Sequence, residues 1–309
     1  MNENLLMDSK YRTKAFEWLH NQIILHGDVL PRELLVQGFE YQGSRITFLG
    51  PQGIWKPKIF PEIPLSITTV ISGPYNDSFS DDGLLLYRYQ GTDSNQWDNV
   101  GLRKAMQYQV PLVYFNNVVK GRYHAIWPVY IVGDNPSLLT FKVAVDDEKS
   151  LKYNEAAGSE LKISESASEV ARRAYITSTV KIRLHQRSFR EKVLLAYKEQ
   201  CALCRLKHRE LLDAAHIIPD SDPEGEPRIS NGISLCKLHH AAFDENFIGI
   251  TPGYIIQVRA DILEEKDGPL LKHGLQGLHN GPVSVPREKK LQPDRQLLER
   301  KYELFKKAS

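Results

Sequence analysis

Apolar residues recur at intervals of three and four near the start of the chain. Ala15, Trp18, Leu19 and Ile23 form one such stripe, so residues 9–37 read as helical. Pro31 stands at the first turn of a second short helix, PRELLVQ. From residue 40 the texture changes. RITFLG, LSITTVI, LLLYRY, PLVYFN and HAIWPVYIV are rich in β-branched and aromatic residues, with Gly, Pro, Asn and Asp between them. One helical stretch, DNVGLRKAMQYQ, interrupts these strands. The pattern predicts a compact α+β or curled β-barrel domain with flanking helices that ends near residue 146. Residues 146–170 are acidic, with Asp146, Asp147, Glu148, Glu155, Glu160, Glu165 and Glu169 against three lysines, and read as a linker. SFREKVLLAYKE, residues 188–199, reads as an amphipathic helix capped by Ser188, with Phe189, Val193 and Tyr197 on one stripe. After Phe247, GITPGYIIQV reads as a hairpin, and a last helix runs from about Asp294 to Lys307. The expected division is a domain over 1–146, an acidic linker and basic lead-in over 147–187, and a second domain over 188–309.

Length agrees with two domains, since 309 residues is about twice the common domain size of roughly 150. A hydrophobic share of 41% and a charged share of 25% are those of an ordinary globular protein. No apolar run reaches the ~18 residues of a membrane span, and MNENLLMDSKYRTK lacks a signal-peptide core. The expectation is a cytoplasmic protein with no membrane partner. The net charge of +2 hides an uneven distribution. Residues 171–210 hold eleven Lys and Arg against Glu191, Glu199 and Glu210, a local balance of +8. Such a run is either a footprint for a polyanion or a solvated basic helix.

The three cysteines all fall in residues 201–247, CALCRLKHRELLDAAHIIPDSDPEGEPRISNGISLCKLHHAAFDENF. None is left over for a disulfide, which favours a reducing compartment. Cys201-x-x-Cys204 opens the stretch and Cys236-x-x-His239 lies near its end. Three sulfurs and one imidazole nitrogen are the tetrahedral set that structural Zn2+ prefers. His216, Asn231 and His240 lie between and just after these pairs.

The words LDAAHI around His216, NGISLC from Asn231 and LHHAAFD around His240 resemble the HNH nucleases in their zinc-stapled, ββα-metal form. The resemblance implies a strand ending near His216, a loop, the strand ISLC and a helix starting near Lys237. It implies that His216 is the general base, that Asn231 ties down the loop and orients the base, and that His240 ligates a catalytic divalent metal, Mg2+ or Mn2+. His239, about 100° around the helix from His240, then serves the zinc with Cys201, Cys204 and Cys236; the two histidines could exchange roles. Many HNH enzymes carry an acidic ligand just before the base. Here that position is Ala215, and Asp213, two residues earlier, is the nearest replacement. Asp244 is either an outer partner or a packing residue. Asn231 is equally good as a turn former in Asn-Gly.

A second resemblance lies in residues 72–115. SGPYNDSFSDDGLLLYRYQGTD, then N-x-x-L-R-x-A and PLVYF, is similar to the SRA domains that read modified cytosine, of the PUA-like group. The tyrosine spacing departs from the family's. The resemblance implies a pocket for a flipped base with Tyr75 and Tyr89 as walls and Asp77 as an acceptor. Trp97 or the loop Gly50-Pro51-Gln52-Gly53 would replace the flipped base, and Arg45, Lys56 and Lys58 would touch phosphates. Each tyrosine serves equally as core packing. The expected whole is a homodimeric endonuclease on double-stranded, modified DNA, with 5-methylcytosine or 5-hydroxymethylcytosine as the mark. The alternatives are an HNH nuclease reading ordinary sequence or a phosphorothioate backbone, and an inactive zinc-stapled DNA-binding protein, which Ala215 keeps open.

Overall fold

The computed structural model describes residues 3–69, 78–80, 83–147, 167–266 and 268–308. The chain divides into two compact units, Met1–Leu184 and His185–Ser309.

The first unit begins with α1 (Glu3–His26), whose Tyr11, Ala15, Phe16 and Leu19 are buried on one stripe. Arg12 on the same helix is buried with Asp8 at 2.7 Å and also donates to the carbonyls of Pro64 and Pro111, so the buried charge is fully bonded. Pro31 closes a short strand, β1 (Val29–Pro31), and is the N-cap of α2 (Arg32–Gln37) rather than its first turn. A small hairpin, β2 (Phe39–Tyr41) and β3 (Ser44–Ile46), follows. The main sheet comprises β4 (Ile54–Trp55), β5 (Ser66–Thr68), β6 (Ser78–Phe79), β7 (Leu85–Arg88), β8 (Leu112–Val119), β9 (Arg122–Asn135) and β10 (Thr140–Val145), with α3 (Trp97–Gln107) between β7 and β8. Its order is β4-β5-β8-β9-β10-β7-β6, with β1 on the start of β9. Among the described residues only β5 and β8 run parallel. Register shifts in the β8–β9 and β9–β10 pairings mark bulges, which bend a sheet. Among the described residues no pairing joins β4 to β6, so the sheet is a curled half-barrel and not a closed barrel. One core packs inside it around Tyr114, Ile131 and Phe141, and another lies under α1 around Phe48, Phe60 and Phe115.

The reading of a helix capped at Ser188 is corrected. A single helix, α4, spans Ala167–Ala196 and runs through Ser188 without a break. Its apolar stripe changes partners on the way. Ile176, Val180 and Leu184 pack on the first unit's core, and Phe189, Val193, Leu194 and Tyr197 on the second's. Most of the expected acidic linker lies outside the described residues. Its first residue does not: Asp146 is buried and receives both Arg172, at 2.6 Å, and Arg173, at 3.0 Å. The first compact unit thus runs on to Leu184.

In the second unit β11 (Leu212–His216) pairs antiparallel with β12 (Gly232–Cys236), and α5 (Lys237–Asp244) follows at once. The hairpin expected after Phe247 is β13 (Ile248–Ile250) and β14 (Ile256–Val258). Short helices α6 (Ala260–Glu264) and α7 (Pro269–Gly274) precede the last, α8 (Arg295–Ala308). Leu297, Leu298 and Phe305 of α8 are buried, and a Cβ on Gly249 would sit 2.5 Å from the Phe305 ring, so α8 closes on β13 only over a glycine.

Candidate active site

The strand–loop–strand–helix run from Leu212 to Asp244 carries His216, Asn231, His239 and His240. Two separate centres result.

The first centre is the cysteine cluster. Ligand atoms of Cys201, Cys204, Cys236 and His239 all lie within 4.8 Å of one another. His239 Nδ1 is 3.3 Å from Cys201 Sγ and 3.2 Å from Cys236 Sγ, and Cys204 Sγ is 4.0 Å from Cys236 Sγ. A tetrahedral ion with bonds of about 2.1–2.3 Å separates its ligands by roughly 3.4–3.8 Å, so the set is close to the size of one divalent ion. His239 Nε2 faces the Gly274 carbonyl at 2.7 Å. That contact puts the ring proton on Nε2 and leaves the Nδ1 lone pair for a metal. With no ion the thiols disturb one another: Cys201 is driven down, chiefly because Cys236 donates to it, and Cys236 is driven up by that contact and by burial. A divalent cation would relieve both. The four residues could hold a structural zinc.

The second centre holds the three HNH positions. His216 ends β11, its ring stacked on Phe189 with centroids 4.0 Å apart and planes 13° apart. Nε2 is sealed from solvent and lies 3.1 Å from Asp220 Oδ1, with an N–H direction too bent for a full hydrogen bond. Burial pushes the imidazole below its ordinary pKa; Asp220, Asp244 and Asp213 oppose this, while His240 adds to it. A histidine held neutral can accept a proton.

Asn231 is fully buried and serves the loop between β11 and β12. Its amide donates to the carbonyls of Ile218 (2.9 Å) and Glu226 (3.1 Å), and its oxygen accepts from Ile218 N at 3.0 Å. Gly232 beside it has φ −130, an ordinary extended value. It is needed for space: a Cβ there would lie 2.5 Å from Val193 and 2.7 Å from Phe189. Asn231 thus closes a 3-10 turn and clamps the loop, and Gly232 leaves a packing gap.

His240, on the first turn of α5, stands between two carboxylates. Nδ1 is 3.6 Å from Asp213 Oδ2, and Nε2 is 3.2 Å from Asp244 Oδ2. Contacts with Asp213 and Asp244 push its pKa up to about 9 against the cost of burial, so without a metal the imidazole holds a proton at neutral pH. Asp213 is held below the usual carboxylate range; burial acts the other way but is outweighed by His240, by the Ala214 amide and by Arg190. The gap between His240 Nδ1 and Asp213 is too long for a hydrogen bond and short enough for two ligands of one ion. Asp244 would fix the ring proton on Nε2, leaving Nδ1 to bind. Ala215 is fully buried and points to no such role, whereas Asp213 is half exposed beside His240.

Arg190 escaped the sequence reading. Its guanidinium donates to Glu191 (3.2 Å) and to the carbonyls of Arg209 (3.1 Å) and Leu212 (2.8 Å), and its Nε lies 3.4 Å from Asp213. Glu191 is buried and is also bridged by Arg209, which reaches Glu199 as well. Only the charge run could have drawn attention to these residues, and it pointed to DNA instead.

The expected reader residues are dispersed. Tyr75 and Asp77 lie outside the described residues. Tyr89 is buried, stacked on Phe141 at 4.5 Å, and its hydroxyl donates to Asp134 and accepts from Arg103. The ring belongs to the half-barrel core, the packing alternative for this tyrosine. Trp97 starts α3 and is 53% exposed. Arg45 is exposed in the β2–β3 hairpin and pairs with Glu40 at 3.3 Å. Lys56 donates to the Phe60 carbonyl at 2.9 Å and so closes a loop. Among the described residues no helix is long and apolar enough to cross a membrane.

Residues 201–251 match the HNH endonuclease family. No curated protein matches the chain. Among solved structures the chain is similar to the modification-dependent TagI restriction endonuclease, at 16% identity and a TM-score of 0.28, over 78% of this chain and 81% of that one. It is similar also to the type IV phosphorothioation-dependent restriction endonuclease ScoMcrA, at 15% identity and a TM-score of 0.21, over 79% of this chain and 60% of that one. At those scores the two structures bear on neither substrate nor mechanism. The family match falls on the stretch that holds His216, Asn231, His240 and the cysteine cluster, and the chain therefore carries an HNH endonuclease domain in its second unit.

Proposed function

We propose that the protein is a DNA endonuclease whose second unit hydrolyses phosphodiester bonds and whose first unit directs it to DNA bearing a modified base. The observation that carries the nuclease reading is the pairing of a histidine kept neutral, His216, with a histidine–carboxylate pair, His240 and Asp213, on one ββα framework. Asp213 and His240 would hold a divalent ion, magnesium or manganese, with Asp244 behind His240. Such an ion would neutralise the charge that builds on the phosphate. His216 takes a proton from water, the water oxygen forms a bond to phosphorus, and the sugar oxygen departs and is protonated by solvent. Asn231 keeps the loop that frames this base in one conformation. Cys201, Cys204, Cys236 and His239 would bind zinc, whose apparent binding energy of about 10–16 kcal/mol at neutral pH is coupled to folding.

The modified-base reading is supported by the SGPYND word, the curled half-barrel and the exposed Trp97. The exposed lysines and arginines of the basic stretch, among them Lys192, Lys198, Arg205 and Lys207, favour a polyanionic partner. A homodimer would place one site on each strand of a duplex. Digestion of matched unmodified, methylated, hydroxymethylated and phosphorothioate duplexes with magnesium or manganese tests the whole reading. Cutting confined to the methylated or hydroxymethylated duplex is expected. Equal cutting of all four would remove the reader from the proposal, and no cutting of any would remove the enzyme.

A further inference from the structure

An imidazole serves as a base through one nitrogen only if the other keeps its proton. The two nitrogens of His216 differ in this respect. Nε2 is sealed from solvent, and Asp220 Oδ1 lies 3.1 Å from it, off the line of a full hydrogen bond but the nearest carboxylate among the described residues. Nδ1 is not sealed, and among the described residues it has no hydrogen-bond partner. The ring cannot easily turn to exchange the two, because Phe189 lies flat against it. Asp213, His240 and Asp244 also face the ring and, like Asp220, act on it through charge; among the described residues only Asp220 brings a carboxylate within 4 Å of Nε2.

The acceptor is held as firmly as the ring. Asp220 sits in a tight turn, where Asp222 N donates to the Pro219 carbonyl at 2.9 Å. A Cβ on Gly225 would lie 1.9 Å from that same carbonyl, so the loop folds back on itself over a glycine. Asn231 pins the loop at Ile218. Arg300 of α8 pins it from outside, bonding Asp222 and, at 3.0 Å, Glu224. Arg228 adds a bridge to Asp294 at 3.1 Å. Four contacts thus fix a loop whose one carboxylate at the base is Asp220.

We infer that Asp220 is the positioning residue for His216: its carboxylate keeps the proton on Nε2 and leaves Nδ1 as the nitrogen that accepts the proton of water. When Nδ1 takes that proton the ring becomes cationic, and the same carboxylate offsets the new charge. The inference rests on the nuclease reading, and it assigns chemistry to a loop residue outside the three HNH positions.

The test uses the full-length protein with 15N-labelled histidine, zinc retained and no other divalent ion added. Ring 15N shifts report which nitrogen carries the proton, with His216→Gln identifying the signal. The wild type should show the Nε2–H form, and Asp220→Ala a mixture of both forms. Asp220→Asn is isosteric and keeps the loop, so a change in it is not a loss of folding. Plasmid nicking with manganese is measured beside it. Asp220→Ala should lower kcat roughly 10- to 100-fold with KM unchanged, the usual scale for losing a partner behind a functional histidine. In Asp220→Asn the acid limb of the kcat–pH profile should move to lower pH, and Asp220→Glu should recover part of the rate. Unchanged ring shifts and unchanged rates in Asp220→Ala and Asp220→Asn would overturn the inference. A wild type that nicks no DNA would sink the nuclease reading instead, while the ring shifts would still decide which nitrogen Asp220 holds.

Discussion

At the residue scale the site is a set of histidines told apart by their neighbours. His216→Ala should lower the cleavage rate by about 10²–10⁴, the usual worth of a general base, and leave DNA affinity unchanged in an anisotropy titration. His240 differs because it lies between Asp213 and Asp244. Its pKa is raised from the ordinary 6.5 to about 9 when no metal is bound. A raised pKa stabilises the folded state fully below the unfolded value and loses that stabilisation as pH rises through the folded one. Without added magnesium or manganese, urea unfolding should therefore show stability falling between about pH 6.5 and 9, and His240→Asn should flatten that decline. The histidines and cysteines were legible in the sequence because a metal set or a helix turn spaces its ligands by a few residues. Arg190 was not, since its partner Asp213 is reached through space, and Asp220, though four residues from His216, stands in a loop whose course only the structure shows. Gly232 was legible only as half of an Asn-Gly turn signal, whereas its role is to let Phe189 approach, which depends on a helix more than forty residues earlier in the chain.

At the scale of elements, the β11–β12–α5 unit is held by the cysteine cluster on one side and by the Glu191 network on the other. Cys204→Ala should lose bound zinc in an elemental assay and unfold the second unit at lower urea, because the binding energy of a structural zinc is coupled to folding. Arg209→Ala would leave the buried Glu191 carboxylate with Arg190 alone. Breaking a buried pair in this way costs on the order of 3 kcal/mol, and a shift in the urea midpoint measures it. The strands and hairpins were readable because each has its own alternation. The long helix α4 was not read as one element. Its two apolar stretches serve different cores, and Ser188 between them has the chemistry of a cap but sits mid-helix.

For the whole molecule, the division at Leu184 changes which fragments should fold. Residues 1–184 retain Arg172 and Arg173 for Asp146, and Ile176, Val180 and Leu184 for the half-barrel core. A fragment ending at residue 146 loses all of these and should melt well below the longer one in a thermal scan. The second unit should bind DNA through charge, with affinity falling steeply as salt rises. Arg190 and Arg209 are committed to Glu191, so Arg190→Gln and Arg209→Gln should leave the salt slope unchanged, while Lys192→Gln or Arg205→Gln should each reduce it by about 0.9. One further consequence follows from His239 and His240 being neighbours on α5. The two centres are one peptide bond apart, and their separation is set by the pitch of a helix. A residue inserted between Cys236 and His239 would turn both histidines by about 100° against the cysteines, and one inserted between His240 and Asp244 would turn Asp244 away from His240 by the same angle. Insertions in α5 should therefore damage at least one centre, whereas the surface segment around Gly268, where an added Cβ meets nothing, should admit them. Length variation among descendants of this protein should therefore collect outside the eight residues of α5.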